Sequence, residues 1–555
     1  MKLFGLFHSG NPRAAWRATG GAACALWDAH AMRAHDTAGE GTLFAFSSGS
    51  CAQEALDAYE TWGDDYPAHL KEPCATAILD TEQEKLILTR DPLGEVPVYY
   101  TAKEGQIAFS DWLPALLLAG AAEPVMDKTA LNELFAIGPA RSPGQTYIAN
   151  IRELPPGYAL VADANAHVLR QYFALEALPH EDGEAQTVDT VRDLLEQAMR
   201  RAAGCAGASM LSGGIDSSIL TALLMRMRGA ANSYSVEYED AQAYFTGSRF
   251  QPELDSPYVE MAVHALKTNH RRVILSERQL VNALEDAAFA RGMPGMGDVD
   301  SSLLLFVRAI AAQENGVIMG ECSDEVFGGY PWFRDESASL TTFPWSGSLE
   351  LRESILSSSV REALRPREYA QVRLEESLCS LPTLPGETGR ARMLRAMQGL
   401  CFQYFMANLQ ERAYRLCDEA GLALYAPFCD VRLVQYVYNV PWEMKFLKGY
   451  EKGLLREAAR DLLPRELLYR RKSPYPKTWN PEYMRLVRER FRSIASDAAS
   501  PLRAFLDFDA VERATASASP AATPWFGQLM TAPQMLAYLI QIDRWMRAYG
   551  VRVEL

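Results

Sequence analysis

The stretch LSGGIDSS, at residues 211–218, decides the fold. It is preceded by the run Ala208-Ser209-Met210, which with Leu211 predicts a short strand, and it is followed by ILTALLMRM, which predicts a helix ending at Gly229. A strand, a glycine turn and a helix in direct succession form one unit of a parallel, doubly wound sheet. Ligands bind such sheets at the carboxyl ends of their strands.

Three further segments extend this unit. SYSVEY, RRVIL and GVIMG predict strands, and helical segments separate them. The alternation of strands and helices indicates a parallel sheet. Beyond about residue 350 the pattern is mostly helical, while residues 335–348 read as a loop. We assign residues 186–555 to this second domain.

The first part of the chain has a different pattern. ATAILDTEQEKLILT predicts a strand, a polar turn and a second strand, and PVYYTAKEGQIAFS repeats that arrangement. Such pairs predict an antiparallel, layered β domain. A polar link at residues 178–186 follows, so we place this domain at residues 1–180. The predicted fold class is therefore α/β, with an antiparallel β-layered first domain and a second domain that combines a parallel sheet with a mostly helical end.

Composition argues against several classes of protein. The chain has 555 residues, 48% of them hydrophobic, and a net charge of −15, as expected for a globular protein of two or more domains. The acidic balance argues against nucleic acid as a partner. The sequence contains no run of about 18 apolar residues, so no membrane span is predicted. Nine cysteines without CxxC or Cys/His metal spacing favour reduced thiols and a cytoplasmic location.

The glycines and hydroxyls of residues 211–218 are suited to binding an anion. Gly213 and Gly214 allow a tight turn that brings backbone N–H groups close to phosphate, and the helix starting near Ser217 points its positive end there. The GxxxxGK[ST] pattern of a Walker A loop is absent. Asp216 is unexpected, because a carboxylate repels phosphate. It is either a helix cap or a ligand of Mg²⁺, which uses carboxylates together with phosphate oxygens.

A second acidic motif, GECSDEVFGGY at residues 320–330, favours magnesium. Glu321, Asp324 and Glu325 follow the GVIM strand, so we expect them at the same sheet edge as Asp216. Taken singly, each could be an acidic residue in the first turn of a helix, which is common. Carboxylates this close together, however, need a cation or have raised pKa values. The sequence therefore predicts a Mg²⁺–ATP site. Because residues 271–555 contain no histidine, a Ser-His-Asp hydrolase in that half is excluded.

These motifs resemble those of a known family. LSGGIDSS resembles the SGGxDSS loop of the ATP-pyrophosphatase class, and GECSDEVFGGY resembles the GEGADELFGGY segment of class B asparagine synthetases. The resemblance implies an Ntn-hydrolase-like, glutaminase-like first domain and an ATP-pyrophosphatase second domain. It covers most of the chain, since further segments resemble the family in the same order: RDPLGEVPVYY, IRELPPGYAL, LYAPFCDVRLV, GLLREAARDLLPREL, RRKSPYPKTWNPEY and PWFGQLMTAPQMLAYLIQIDRWM.

The resemblance implies amide formation in two steps. A carboxylate attacks the α-phosphate of ATP to give an acyl-adenylate and pyrophosphate, and an amine then displaces AMP. Asp216 and Asp324 match the family's Mg²⁺ ligands, Lys472 matches a lysine that stabilises developing charge, and Glu321 matches a candidate base for the amine. The remaining matches are nucleotide-binding positions, with Val236 at the adenine: Leu211, Ser212, Gly213, Gly214, Ser217, Ser218, Val236 and Gly320.

The N-terminus departs from the family pattern. Glutamine-dependent members carry a cysteine as residue 2, which hydrolyses glutamine, whereas this chain has Lys2. A glutamine-pocket motif resembling NGEIYN is also absent. Lysine cannot replace that nucleophile, so the comparison implies a first domain that is inactive as a glutaminase. The activated carboxylate then needs another amine.

Two branches of the family use another amine, namely β-lactam-type synthetases and lasso-peptide cyclases. Glu321 argues modestly against the first branch, which has a tyrosine there, while the chain length and KSPYPKTWNP favour the second by analogy. We therefore expect a macrolactam synthetase that adenylates an Asp or Glu side chain of a ribosomal precursor peptide and joins it to the peptide's N-terminal amine. A leader peptidase or leader-binding protein is a further candidate partner. We expect residues 395–420 and 335–348 to line the peptide cleft.

Other functions stay open. The first is an ammonia-dependent asparagine synthetase with a decayed glutaminase. The second is a pseudoenzyme or regulatory binding module, against which the intact Asp216, Asp324, Glu321 and Lys472 count. A tRNA-modifying pyrophosphatase is disfavoured by the acidic balance and by the lack of paired catalytic cysteines.

Overall fold

The computed structural model of the protein describes residues 3–8, 36–38, 43–49, 51–103, 105–163, 166–247, 251–336, 339–516 and 524–555. Lys2 lies outside these described residues, so the departure at that position is a statement about sequence alone.

The N-terminal part is built from antiparallel strands. Its strands are β1 (Phe4–His8), β2 (Asp36–Ala38), β3 (Leu43–Ser47), β4 (Thr76–Asp80), β5 (Lys85–Thr89), β6 (Tyr99–Lys103), β7 (Gln106–Ser110), β8 (Val125–Met126), β9 (Arg152–Glu153), β10 (Tyr158–Ala162) and β11 (His167–Gln171), and its helices are α1 (Ala52–Trp62), α2 (Leu113–Leu118) and α3 (Lys128–Asn132). One sheet has the order β1-β7-β6-β9 and the other β11-β10-β5-β4-β3-β2. The predicted hairpins are confirmed, because β4 pairs with β5 and β6 with β7, both antiparallel.

The second part contains a parallel sheet. Its strands are β12 (Ala208–Met210), β13 (Asn232–Tyr238), β14 (Asn269–Leu275), β15 (Gly316–Ile318) and β16 (Ala423–Tyr425), and the C-terminal strand is β17 (Arg552–Val553). The order is β14-β13-β12-β15-β16, with every neighbouring pair parallel. The predicted parallel sheet is therefore confirmed, and β12 lies at its centre.

Helices surround this sheet and form most of the chain beyond it. They are α4 (Glu184–Cys205), α5 (Ile215–Arg228), α6 (Ala241–Tyr244), α7 (Ser256–Leu266), α8 (Glu277–Asn282), α9 (Leu284–Arg291), α10 (Asp298–Ala311), α11 (Ser323–Phe327), α12 (Leu349–Ser354), α13 (Ser358–Leu364), α14 (Pro366–Ser380), α15 (Gly389–Leu400), α16 (Ala407–Glu419), α17 (Val431–Asn439), α18 (Trp442–Lys445), α19 (Gly453–Ala458), α20 (Arg465–Leu468), α21 (Pro481–Ser496), α22 (Phe508–Ala514) and α23 (Ala532–Tyr549). No helix among the described residues is both long and apolar enough to cross a bilayer.

The helices next to the glycine loop follow from local sequence. In α4 the apolar positions Val191, Leu195 and Met199 recur every four residues and are all buried, so they form the inner face of an amphipathic helix. Helix α5 ends at Gly229, whose φ of 74° lies in the left-handed region, so glycine stops this helix as predicted.

Strand β16 was missed by the sequence prediction, which expected mostly helix beyond residue 350. Its three residues are too few to show a strand period. In the structure they pair with β15, with Gly316 opposite Ala423 and Ile318 opposite Tyr425. The segment after Tyr425 therefore reaches the same sheet edge as the GECSDE motif.

The N-terminal and C-terminal parts of the chain share one core. Strand β17 pairs in parallel with β8, and Tyr538 of α23 donates a 3.0 Å hydrogen bond to the carbonyl of Leu134. The same cluster of buried hydrophobic residues includes Phe135 from the first part and Trp525 and Trp545 from the last. Helix α23 and strand β17 are thus packed against the N-terminal part of the chain.

Buried ion pairs cross the same boundary. Glu411 of α16 is fully buried and accepts hydrogen bonds from Arg141 of the N-terminal part and from Arg291 of α9, the latter at 3.4 Å. Arg141 also lies 3.3 Å from Glu153. Burial alone would raise the pKa of Glu411, but the two guanidinium groups lower it below the usual value. Glu411 is therefore a charged residue on which both parts depend.

Replacement of Glu411 by glutamine tests this interface. Glu411→Gln leaves Arg141 and Arg291 buried without their shared counter-charge, so we expect a loss of about 3–5 kcal/mol in the free energy of unfolding. Chemical denaturation followed by circular dichroism measures this loss. The control is Glu419→Gln at the other end of α16, where the side chain is 47% exposed and 3.6 Å from Arg308; its effect should stay within about 0.5 kcal/mol. Equal effects of the two variants would contradict the assignment.

Candidate active site

The glycine loop joins β12 to α5 and lies against α7. Gly213 has a φ of 67°, and a Cβ atom there would lie 2.7 Å from the backbone N of Val259. Only glycine fits, because the conformation is left-handed and the space is closed. Below the loop, buried Leu211 donates its N–H to the carbonyl of Tyr234 at 2.7 Å, which fixes the loop to β13.

Two serine hydroxyls of the loop lie close together, and a third is buried. The Oγ atoms of Ser212 and Ser217 are 3.1 Å apart, and Ser217 also donates to the carbonyl of Gly214 at 3.2 Å. The Oγ of Ser218 is buried and has no hydrogen-bond partner among the described residues. A buried hydroxyl without a partner is uncommon and is satisfied when an acceptor such as phosphate binds.

Asp216 and Asp324 lie on the same ammonium group. The Nζ of Lys452 is 2.7 Å from Oδ2 of Asp216 and 2.5 Å from Oδ1 of Asp324, and its side chain is fully buried. Ser323 donates its hydroxyl to Oδ1 of Asp216 at 2.7 Å. The two carboxylates predicted to bind Mg²⁺ thus come together from separate strand ends, as the sequence interpretation required.

Lys472 approaches Asp324 from the other side. Its Nζ is 2.6 Å from Oδ2 of Asp324, and its backbone N–H donates to Oε1 of Glu451 at 2.9 Å. Burial alone raises the pKa of Asp324, but Lys452 and Lys472 together lower it to about 2. Burial lowers the pKa of Lys472, but Asp324 and Asp216 raise it above its usual value. Both groups are therefore charged at neutral pH.

The pKa values of Glu321 and Glu325 are raised, in contrast to that of Asp324. Burial raises the pKa of Glu321, although Arg412 acts against it. Burial and the charge of Asp324 raise the pKa of Glu325 to about 8, and Tyr330 donates a 2.7 Å hydrogen bond to it. Burial and the neighbouring Asp324 thus favour the protonated form of Glu325. Glu321, at the edge of the site and only half buried, stays the candidate base.

Two of the predicted nucleotide-binding residues, Gly320 and Val236, contribute to packing at the sheet. A Cβ at Gly320 would lie 3.3 Å from that of Asp216, so glycine lets the end of β15 approach the start of α5. Val236 lies on β13, the neighbour of β12, and packs partly buried against two apolar clusters. Its contact with adenine stays a prediction.

Several residues that build the site were missed. Lys452 stands one residue before the segment GLLREAARDLLPREL, and a lone lysine carries no pattern that predicts burial. Gly329 is required because a Cβ there would lie 1.9 Å from Oδ1 of Asp324; the GG pair of the motif was the available signal. Arg470 donates to the carbonyl of Ser212 at 3.3 Å and so braces the glycine loop.

The residues fit a nucleotide with magnesium. Among the described residues no cluster of three or more His, Cys, Asp or Glu side chains is arranged to hold a metal ion. Mg²⁺ commonly uses one or two carboxylates and completes its shell with phosphate oxygens and water. Asp216 and Asp324 would supply the carboxylates of such a site, and the buried Ser218 hydroxyl could donate a hydrogen bond to a phosphate oxygen.

Comparisons with known proteins identify the family to which the chain belongs. The family profile described as asparagine synthase matches residues 190–547, and that of a glutamine amidotransferase domain matches residues 24–173. The chain is 38% identical over 517 residues to asparagine synthetase [glutamine-hydrolyzing] 3 of Bacillus subtilis, covering 92% of this chain and 84% of the relative. It is 24% identical to asparagine synthetase [glutamine-hydrolyzing] 1 of the same organism, covering 78% and 72%.

Among solved structures, NMN synthetase from Francisella tularensis is similar at 14% identity, with 39% of this chain and 92% of that chain covered. Its TM-score of 0.21 is too low to carry an argument. The sequence matches span both parts of the chain and include the two acidic motifs. The chain therefore belongs to the asparagine synthetase family of ATP-dependent, amide-forming ligases.

Proposed function

We propose that the protein activates a side-chain carboxylate of a ribosomal precursor peptide with ATP and closes a macrolactam with the peptide's N-terminal amine. The observation that carries the activation step is the pair of carboxylates, Asp216 and Asp324, gathered on the buried ammonium of Lys452 at 2.7 and 2.5 Å. Lys452 compensates both carboxylates while no ligand is bound. The same carboxylates would be available to the magnesium ion of a bound Mg²⁺–ATP.

The lysines have distinct parts in this proposal. Lys472 is held by Asp324 and by the hydrogen bond of its own N–H to Glu451, so its ammonium has a fixed direction. We assign to it the stabilisation of oxygens that gain charge when the acid attacks the α-phosphate. One lost donor of this kind costs about 3–4 kcal/mol of barrier. Bound magnesium would neutralise phosphate charge, held by Asp216 and Asp324.

Glu321 is assigned to the second step. An amine must lose a proton to become nucleophilic, and the ideal base has a pKa near the operating pH. Burial moves the pKa of Glu321 upward in that direction. It directly follows Gly320, which lies against Asp216 and Ser217 of the glycine loop, and this closeness supports the assignment.

The source of the amine rests on the N-terminal sequence. Strand β1 begins at Phe4, and the preceding residues in the sequence are Met1, Lys2 and Leu3, none of which carries a thiol. Glutamine hydrolysis in the family depends on a cysteine at residue 2. An amine already present on the acid substrate removes the need for ammonia, which supports a peptide cyclase. A leader peptidase or leader-binding protein would then deliver the peptide.

A second candidate is the synthesis of asparagine from aspartate and free ammonia. It is favoured by the 38% identity to a relative whose name is asparagine synthetase. The two candidates share the activation step and differ only in the acid and the amine.

Product analysis distinguishes these candidates. We expect the purified enzyme, given ATP, Mg²⁺ and a leaderless core peptide encoded beside its own gene, to release AMP and pyrophosphate and to yield a peptide lighter by one water. Mass spectrometry measures the product. Asparagine formation from aspartate and ammonia, together with inactivity on every such peptide, would establish the second candidate instead.

Lys452 can be tested by charge removal. Lys452→Met leaves Asp216 and Asp324 facing each other without a cation, so we expect ATP–pyrophosphate exchange to fall about 10²–10³-fold. Asp216→Ala and Asp324→Ala should each nearly abolish exchange. The control is Lys448→Met, whose side chain is 58% exposed and pairs with Glu457; it should retain wild-type exchange. Full exchange in Lys452→Met would place the nucleotide elsewhere.

Glu321 can be tested by separating the two steps. Glu321→Gln keeps the shape but removes the base, so amide formation should fall about 10²–10⁴-fold while ATP–pyrophosphate exchange persists. In the wild type, amide formation should decline as pH falls through a pKa above that of an ordinary glutamate, because the protonated carboxyl cannot accept a proton. Parallel loss of both steps in the variant would assign Glu321 to nucleotide binding.

A further inference from the structure

A disulfide lies inside the candidate active site. Cys322 and Cys429 are bonded, with their Cα atoms 5.9 Å apart, which is within the usual range for disulfides. Cys322 directly follows Glu321 and stands two residues before Asp324, whereas Cys429 ends the turn after β16. The sequence had favoured reduced thiols throughout; the structure instead pairs Cys322 with Cys429 and also Cys51 with Cys74.

The backbone at Cys322 has a conformation that a covalent link can stabilise. Its φ is 73°, in the left-handed region that favours glycine. The family segment that this motif resembles, GEGADELFGGY, has glycine at this point, where this chain has Cys322. A residue with a Cβ is strained in this conformation, so contacts that restrain it favour the observed turn. The bond to Cys429 supplies that constraint.

The Cys322–Cys429 disulfide lies between the proposed magnesium ligands on one side and helix α17 on the other. Ser323, the next residue, donates its hydroxyl to Asp216 at 2.7 Å and lies 3.2 Å from the Nζ of Lys452. On the other side, Asp430 caps α17 by accepting the N–H of Arg432 at 2.9 Å. The disulfide therefore ties the loop carrying Glu321 and the metal ligands to an anchored neighbour.

We propose that Cys322–Cys429 is a redox-modification site that controls the adenylation site. The bonded form holds the turn between β15 and α11 in the conformation that presents Glu321 and Asp324. The reduced form releases Cys322 from its enforced backbone, and the turn relaxes away from Asp216. This inference rests on the proposed function, since it takes the site to be one of adenylation.

The exchange reaction balances with a dithiol as reductant. One thiolate of the dithiol attacks a sulfur of the pair, the Cys322–Cys429 bond breaks, and a mixed disulfide forms. The second thiolate then releases the protein, so two electrons and two protons pass to the cysteines and the dithiol becomes a disulfide. Both sulfurs belong to residues no more than 3% exposed, so reduction follows an opening of the turn.

Disulfide mapping combined with kinetics tests the site. After equilibration with an oxidised dithiol, non-reducing digestion and mass spectrometry should show the peptides of Cys322 and Cys429 linked. Reduction, verified by thiol titration, should lower ATP–pyrophosphate exchange by about tenfold or more, and reoxidation should restore it. Free thiols after the oxidising treatment, or unchanged exchange after verified reduction, would overturn the inference.

Variants locate the effect. Cys429→Ala should behave like the reduced enzyme under all conditions, whereas Cys322→Gly, which restores a residue suited to the backbone, should match the oxidised enzyme and ignore reductant. Cys51→Ser is the matched control, because it breaks only the other pair and should remain sensitive. Sensitivity that persists in Cys429→Ala, or disappears in Cys51→Ser, would assign the response to another site.

These measurements also separate the inference from the proposed function. Mapping needs no acid substrate, and binding of Mg²⁺–ATP can be followed by thermal shift in both redox forms. If exchange is absent with every acid, the proposed function fails, while a linked pair and weaker Mg²⁺–ATP binding after reduction would still support the redox site. A linked pair whose reduction leaves binding and exchange unchanged would overturn the redox site alone.

Discussion

The geometry of the site depends on one buried ammonium group. Lys452 holds Asp216 and Asp324 from separate strand ends on a single nitrogen, and without a cation these carboxylates would repel each other or take up protons. Their closeness in turn requires backbone without side chains around them, which Gly320 and Gly329 provide. The glycines of the motifs and the lysine outside them are thus parts of one electrostatic arrangement.

A chain of buried charges runs from the domain boundary toward the candidate site. From Glu411 the contacts continue through Arg291 to Asp300 at 3.1 Å, and from Asp300 to Arg412 at 2.8 Å. The guanidinium of Arg412 lies 5.3 Å from the ring centre of Tyr475, three residues after Lys472. The opposite signs alternate, so each charge is compensated by its neighbours, and displacement of one member leaves the next buried without a partner.

The sequence allowed prediction of features that have a local pattern. The strand, glycine turn and helix around residues 211–218 and the two N-terminal hairpins were readable because period and turn residues agree. Lys452 was not, because burial of a lone lysine is decided by carboxylates more than a hundred residues away. Strand β16 is too short for a period, and the pairing of Cys322 with Cys429 depends on the order of strands β15 and β16, which local patterns do not encode.

The same contacts tie the N-terminal domain to the rest of the chain. Arg141 of that domain neutralises Glu411, and β8 pairs with the final strand β17. Removal of the domain would leave Tyr538 without its acceptor on Leu134 and Glu411 with Arg291 alone, at the start of the charge chain that leads to Arg412. The N-terminal domain is therefore part of the packed and charged structure that supports the candidate site.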